Sequence, residues 1–599
     1  MHLWGCLTIY SIGLFYDVVA MLYFAIPFVL YLIFIPDRVY QNKFHQLFVY
    51  LVVFASLYML FFDGAAEYVF FDEFGVRFNF IAVDYLIYTR EVLKNIKESY
   101  PLPQIFAIIA TLSFACFLML KKWTDISLKF TSTFSNRIKP GLVFLSIPFI
   151  SFAFINLSLT QLSSNTYANE LSANGIYNLF AAFRNNRIDY ATFYLTRDDQ
   201  SVFHKLRSLL QEPNSTFVAD DTFDIRRDIR KTGEERRLNV IVMVVESLSA
   251  EFLGIFGNKD NLTPNLDKLA SQSLYCTNLY ATGTRTDRAL ESITLSVPPT
   301  PGRSILKRPK NENMFSLGFI MKSRGYDTNF IYGGYGYFDN MNYFFSHNGF
   351  DTIDRTNFSK NEITFENAWG VCDEDLFNRA IKEFNKSYNN HNPFLTLITT
   401  TSNHRPYTYP EGRIDIPSHT GRNGAVKYAD YAIGKFLRDA KKEPWFKDTV
   451  FVIVADHCAN SAGKTTLPVR KYQIPLLIYS PAQIAPQKID TMVSQIDITP
   501  TILGLLNFTY QSKFFGKDIL QLKPEQGRAL IGNYEKLGYI MHDVLAVLDI
   551  KKQASLYRFN RTTGESEQVP IEQSIVDAAI SYYQGADHLF KTGCNKWDG

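Results

Sequence analysis

The chain has no excess of either charge, no paired-cysteine motif and no internal repeat, and each lack removes a class of protein. Its 61 basic residues nearly balance 58 acidic ones, and no basic face of the kind that tracks a phosphate backbone is present, so nucleic acid is not an expected partner. Six cysteines are scattered through 599 residues without a CxxC pair or zinc-finger spacing, which argues against a structural zinc site. Cys276, Cys372, Cys458 and Cys594 could pair outside the cytoplasm, but free thiols are expected, with Cys458 a thiol beside the site rather than a ligand. There is no low-complexity tract, and no small-residue cleavage site follows the first apolar run, so a removable signal peptide is not expected. What the chain does have is length and apolar bulk. At 599 residues it should hold at least two domains. Much of the apolar content, rich in the 51 Phe and 35 Tyr, lies in the first 160 residues. A membrane portion followed by a water-soluble one is the expected order.

Apolar runs near the roughly 20 residues needed to cross a bilayer fall at residues 18–36, 46–62, 102–120 and 141–159, and a shorter run at 3–16 brings the expected count to about five spans. Asp17 leaves too little chain for a loop between the first two runs, as a start codon assigned inside the first span would produce. Residues 121–140 carry Lys121, Lys122, Lys129, Arg137 and Lys139 against Asp125 alone, the mark of a cytoplasmic loop, whereas residues 63–101 hold seven acids and four bases. The last span then runs outward, and everything beyond about residue 160 is expected outside the cytoplasm. The expected division is a helical transmembrane domain at 1–160, a connector at 161–235, a catalytic domain at 236–530 and the C-terminal part of the soluble domain at 531–599. Within the first, residues 74–99 form an amphipathic outer-loop segment that either lies in the interface plane or packs on neighbouring spans.

The soluble part is organised around residues 239–249, NVIVMVVESLS. Six residues of pure Val, Ile and Met from Val240 predict a strand buried on both faces, as in a parallel sheet under helices. Glu246 stands at its carboxyl end, where open α/β sheets place their ligands. The arrangement recurs: residues 394–400 run into Ser402-Asn403-His404, residues 449–455 into Asp456-His457, and residues 327–332 into Gly333-Gly334. Strands alternating with helical segments such as 263–271, with Pro264 fitting a first helical position, predict an α/β domain with a mostly parallel sheet. Residues 281–288, ATGTRTDR, then open a helical pattern. A threonine hydroxyl at a helix N-terminus between Arg285 and Arg288 suits an anionic phosphoryl group. Thr286 is placed to be a nucleophile, which needs metal coordination to become an alkoxide. Glu246, Asp456 and His457 supply ligands, and two hard oxygens, an imidazole and the threonine oxygen suit Mn2+ or Zn2+ without choosing between them.

Each residue also has a plainer reading. Glu246 could cap a helix beginning near Ser247, and Thr286 in isolation is a cap more often than a nucleophile. His404 could be a loop histidine, Arg285 and Arg288 surface charges, and Trp369 a core side chain. Order and placement raise the joint reading above these.

The stretches VVESLSAEFLG, LTPNLDKLA, ATGTRTDRALESITLSVPPTPG, TSNHRPY, VADHCAN and SQIDITPTILGLLN, in that order, resemble the membrane-bound lipoteichoic-acid-synthase/phosphoglycerol-transferase family of the alkaline-phosphatase/sulfatase superfamily. The outer-loop and connector segments resemble its Gram-negative branch. The resemblance implies about five N-terminal spans and an extracytoplasmic alkaline-phosphatase/sulfatase-like domain, in the bacterial inner membrane with the catalytic domain in the periplasm. It implies that Glu246, Thr286, Asp456 and His457 bind one divalent cation, Mn2+ first and Zn2+ second, with Thr286 the nucleophile. His404 would sit by the substrate and protonate the leaving group, and Arg285 and Trp369 would bind substrate. The implied reaction carries phosphoglycerol from an anionic phospholipid, phosphatidylglycerol, through a phospho-threonine to an envelope glycan. Thr286 is followed by Asp287-Arg288 rather than lying in a C/S-x-P-x-R context, which argues against sulfate-ester hydrolysis. The alternatives are phosphoethanolamine transfer to lipid A or another glycan, and a non-catalytic envelope assembly protein.

Overall fold

The computed structural model describes residues 3–40, 42–130, 133–163, 165–184 and 188–598. The chain divides into two compact units, residues 1–186 with 462–466 and residues 187–461 with 467–599. The expected connector, 161–235, is therefore shared between them.

In the first unit, α1 (Leu3–Phe34), α2 (Lys43–Phe74), α3 (Leu102–Lys129) and α4 (Phe134–Phe154) are the helices, among the described residues, that are long and apolar enough to cross a membrane. The runs at 3–16 and 18–36 are one helix. Asp17 lies inside it and accepts a hydrogen bond from Asn174 Nδ2 at 2.8 Å, so its carboxylate is answered by a side chain and needs no loop. α2 continues well past the 46–62 run and stops at Gly75, whose φ of 66° is the left-handed conformation of a helix C-cap. Glu67, near that end, pairs with Arg77. The amphipathic segment forms two helices, Phe80–Ile87 and Thr89–Ser99.

The second unit is built on a nine-stranded sheet. Its strands are β1 (Asn239–Val245), β2 (Leu274–Tyr280), β3 (Asp327–Tyr332), β4 (Asp351–Ile353), β5 (Phe394–Thr399), β6 (Thr449–Ala455), β7 (Gln473–Tyr479), β8 (Gln487–Ile489) and β9 (Val493–Ser494). The order is β8-β2-β7-β6-β1-β5-β3-β4, with β9 also on β2. Only β7 runs antiparallel to its neighbours. β1, β5 and β6 are buried along their whole length, as their unbroken apolar sequences require. Register fixes the site: Val245 pairs with Ala455 and Val244 with Thr399, so β1, β5 and β6 end at one level and the next residues leave the sheet together. α5 (Thr286–Leu295) follows β2 and is buried from Asp287 onward.

The C-terminal stretch, whose polar and apolar residues alternate, forms an antiparallel meander of β10 (Arg528–Gly532), β11 (Leu537–Met541), β12 (Val544–Asp549), β13 (Gln553–Phe559) and β14 (Ser566–Val569). It is followed by α6 (Gln573–Thr592). All six cysteines are free.

Candidate active site

Glu246 leaves β1 beside Asp456, which leaves β6, and both carboxylates are buried. The residue between their strands' ends, Ser247, holds φ at 52°, a left-handed conformation rare outside glycine. That conformation turns its N–H onto Asp456 Oδ1 at 2.7 Å and its hydroxyl onto Glu246 Oε1 at 2.7 Å. His457 N–H donates to the same Asp456 Oδ1 at 2.7 Å. The Glu246 backbone is fixed from β5: its N–H donates to Thr400 Oγ1 at 2.9 Å, and Asn403 Nδ2 donates to its carbonyl at 3.0 Å. Asp456 Oδ1 is thus taken by two N–H groups and Glu246 Oε1 by a hydroxyl.

Thr286 opens α5, and its Oγ1 lies 3.3 Å from Glu246 Oε2. The ligand atoms of Glu246, Asp456 and His457 lie within 4.8 Å of one another. His457 Nε2 is 3.3 Å from Asp456 Oδ2 and 3.7 Å from Glu246 Oε1, and His457 Nδ1 lies 2.8 Å from the Cys458 carbonyl. A ring nitrogen turned to a backbone carbonyl leaves the other free for a ligand. Asp456 Oδ2 is buried and takes part in no hydrogen bond. An orphaned carboxylate oxygen beside a second carboxylate, an imidazole and a hydroxyl is a donor set that fits a divalent cation.

The electrostatics follow from burial. Burial works to raise the Glu246 carboxyl, but the His404 and His457 imidazoles and the Ser247 hydroxyl outweigh it and hold it below the usual carboxylate range. Burial and the Glu246 charge push the Asp456 carboxyl up. The two acids share too little positive charge to be ionised equally. Burial also pushes the Cys458 thiol up to about 12, and its Sγ donates to the Gln473 carbonyl at 3.1 Å, so it stays a thiol hydrogen-bonded to the backbone.

His404, from the loop after β5, brings Nε2 to 3.4 Å from Glu246 Oε1. Trp369 is buried and stacks on the His404 ring, with centroids 4.1 Å apart and planes 15° from parallel. Its Nε1 donates to the Arg405 carbonyl at 2.7 Å. Gly370, at φ 142°, makes that seat possible, since a Cβ there would lie 2.2 Å from the Gly333 oxygen. Trp369 therefore meets the site through His404, and the glycines that end β3 serve close backbone approach. Arg285 is the N-cap residue of α5, partly exposed beside Thr286. Arg288 does not flank the hydroxyl: it turns inward to Glu291 Oε1 at 2.7 Å. The structure brings together Glu246, Thr286, Asp456, His457 and His404. The sequence reading missed the parts of Ser247, Thr400 and Asn403, whose one legible signal was position at the ends of the same strands.

The sulfatase family profile matches residues 238–508. Lipoteichoic acid synthase 2 from Bacillus subtilis (strain 168) is 26% identical over 315 residues, 48% of this chain and 48% of that protein. Phosphoglycerol transferase I from Xanthomonas campestris pv. campestris is 23% identical over 354 residues, 56% of this chain and 48% of that protein. The chain spans about half the length of these curated relatives. The crystal structure of a protein in the alkaline phosphatase superfamily from Vibrio parahaemolyticus is 35% identical, with a TM-score of 0.64, covering 68% of this chain and 99% of that one. On these grounds the chain belongs to the alkaline phosphatase superfamily, as a member resembling lipoteichoic acid synthases and phosphoglycerol transferases.

Proposed function

We propose that the protein is a membrane-anchored, divalent-cation-dependent phosphoglycerol transferase that takes the head group of phosphatidylglycerol and passes it to an envelope glycan. The observation that carries this reading is the Thr286 hydroxyl at the start of α5, 3.3 Å from Glu246 Oε2, beside the orphaned oxygen of Asp456. Glu246, Thr286, Asp456 and His457 would hold the cation, which when bound supplies the positive charge that acidifies a hydroxyl. Thr286 Oγ1 attacks phosphorus and releases its proton to solvent. The new bond is phosphorus to threonine oxygen, and the bond that breaks joins phosphorus to the diacylglycerol oxygen. His404, held flat by Trp369, delivers a proton to that departing oxygen. An acceptor hydroxyl then attacks the phospho-threonine: the bond between phosphorus and the Thr286 oxygen breaks, the acceptor's proton restores His404, and the Thr286 oxygen takes a proton from solvent. Arg285, beside the nucleophile, meets the phosphoryl oxygens. Orientation follows the basic 121–140 loop, with the catalytic unit in the periplasm and the four apolar helices in the inner membrane.

The test uses the detergent-purified full chain with headgroup-labelled phosphatidylglycerol or phosphatidylethanolamine and Mn2+ or Zn2+, following diacylglycerol release. Release from phosphatidylglycerol, lost in Thr286→Ala by about 1,000-fold or more with cation binding largely kept, is the expected result. Release from phosphatidylethanolamine alone would replace the donor, and wild-type turnover in T286A would remove the nucleophile.

A further inference from the structure

Gln495 is wholly buried, in the turn after β9, and its side-chain amide joins two parts of the site that sequence holds 170 residues apart. Its Nε2 donates to the carbonyls of Ala455 at 3.0 Å and Asp456 at 2.9 Å, the last residue of β6 and the carboxylate that follows it. Its Oε1 accepts from Thr282 N–H at 3.2 Å, and lies 3.2 Å from Thr282 Oγ1 and 3.1 Å from Ser292 Oγ. An amide oxygen has two lone pairs, so it takes the Thr282 N–H and one hydroxyl at a time. Each hydroxyl has a second acceptor, the Arg288 carbonyl for Thr282 and the Ala289 carbonyl for Ser292. Two carbonyls on one side and an N–H on the other fix which way the amide points.

The turn that carries Gln495 is itself held. Arg528 grips Asp497 with Nη1 to Oδ2 at 2.6 Å and Nη2 to Oδ1 at 2.8 Å, and Asp497 Oδ2 also accepts from Ser494 N–H at 2.9 Å. Thr499, just beyond, donates its hydroxyl to the Ile293 carbonyl of α5. A rigid base thus presents one amide between the strand end that bears Asp456 and the loop and helix that bear Thr286. Nothing else about a core position calls for a glutamine, because a buried amide unable to pair is costly and an apolar side chain of equal size is not.

We propose that Gln495 is a positioning residue for the transfer: it sets the spacing between the Asp456 carboxylate and the Thr286 hydroxyl. The proposal rests on the reading of Thr286 as nucleophile and Asp456 as ligand. Gln495→Met keeps the volume and removes both arms of the brace, whereas the double variant Thr282→Val with Ser292→Ala removes both hydroxyls from Gln495 Oε1 and leaves the Asp456 side intact. Three quantities are measured on the full chain in detergent: melting temperature without metal, the Mn2+ dissociation constant by titration calorimetry, and kcat and KM for head-group release. In Q495M, Mn2+ binding should weaken by about 10–100-fold, the range for groups that orient ligands. Its kcat should fall by about 100-fold, as for a misplacement of reacting groups near 1 Å, with KM little changed. In the double variant, Mn2+ affinity should stay at the wild-type value while kcat falls. A Q495M protein that melts lower yet binds Mn2+ and turns over as wild type does, per folded molecule, would reduce Gln495 to a core residue and overturn the proposal. Should Q495M not fold, the split between kcat and Mn2+ affinity in the double variant decides alone, and its absence overturns the proposal. Because Mn2+ binding is read without lipid, failure of the donor assay in wild type leaves this test standing and counts only against the proposed function.

Discussion

Around α5 the fold buries two kinds of carboxylate, and it gives fixed cations to only one of them. Asp287 and Asp339 share Lys307, whose Nζ lies 2.9 and 3.0 Å away, and Ser304 donates to Asp287 at 2.8 Å. Glu291 has Arg288, and Asp497 has Arg528. At the strand ends the nitrogens facing Glu246 and Asp456 belong to imidazoles, and one Asp456 oxygen has no hydrogen bond. Burying a carboxylate is tolerable only when it is paired. The first kind closes on itself and is architecture. The second is left short of positive charge, which is the condition for taking a cation from solution.

The largest effect expected from this difference is at Asp456. Asp456→Asn should abolish Mn2+ binding and turnover together. Wild type should gain about 2.7 kcal/mol of stability at a Mn2+ concentration 100-fold above its dissociation constant, and D456N should gain none. A chelator should therefore lower the melting temperature of wild type and leave that of D456N unmoved. An equal response from both proteins would put the cation elsewhere.

The Lys307 cluster should answer in the opposite way. Lys307→Met strands two buried acids, and removing one partner of a buried pair costs about 3–5 kcal/mol. Urea denaturation should show that loss, while the Mn2+ dissociation constant of the folded protein stays at the wild-type value. A Mn2+ affinity that fell with Lys307 would merge the two clusters into one and end the distinction between them.

The residues that meet at the candidate site were legible in the sequence because their placement needs little tertiary information. Glu246, His404 and Asp456-His457 each follow an apolar run that can only be a buried strand, and parallel register does the rest. β2 was harder to read, since Thr277 and Asn278 interrupt its apolar pattern where the pairing shifts register between Cys276 and Leu279. The meander of β10 to β14 showed only alternation, with no residue type that names a role. α1 runs unbroken through Asp17, whose partner Asn174 lies far along the chain and could not be seen locally. Trp369 behind His404, Ser247 between two carboxylates and Gln495 under both halves of the site are likewise contacts between distant segments, which periodicity does not report.

Asp373 offers an intermediate case, a buried acid near the site with hydrogen bonds but no cation. Thr401 and Ser402 N–H groups donate to its Oδ1 at 3.2 and 3.1 Å, and its Oδ2 has no hydrogen bond. Burial, with the Glu246 charge adding to it, pushes this carboxyl from 3.8 up to about 6. The folded protein then holds the proton more tightly than the unfolded chain does. Its stabilising contribution is complete below the unfolded value and is lost as pH rises through about 6. Asp373→Asn cannot ionise, so its stability relative to wild type should rise by up to about 3 kcal/mol over that window. Denaturation curves measured across it give the difference directly, and a flat difference would mean that Asp373 is ionised throughout and has a cation.

The smallest effect tests how the uncompensated pair is aimed. Ser247 donates its hydroxyl to Glu246 and its N–H to Asp456 from a left-handed backbone. Ser247→Gly suits that backbone better than serine does, keeps the N–H on Asp456, and deletes only the hydroxyl on Glu246. Stability without metal should hold or rise slightly, because the lost hydrogen bond is offset by relief of strain. Mn2+ affinity should nevertheless fall by about 10-fold, the lower end for a group that orients a ligand. Alanine is the wrong replacement, since its Cβ keeps the strain and would mix the two causes. Wild-type affinity in S247G would mean that Thr400 and Asn403, which hold the backbone of Glu246, already fix the carboxylate, and that the pair is aimed by the sheet alone.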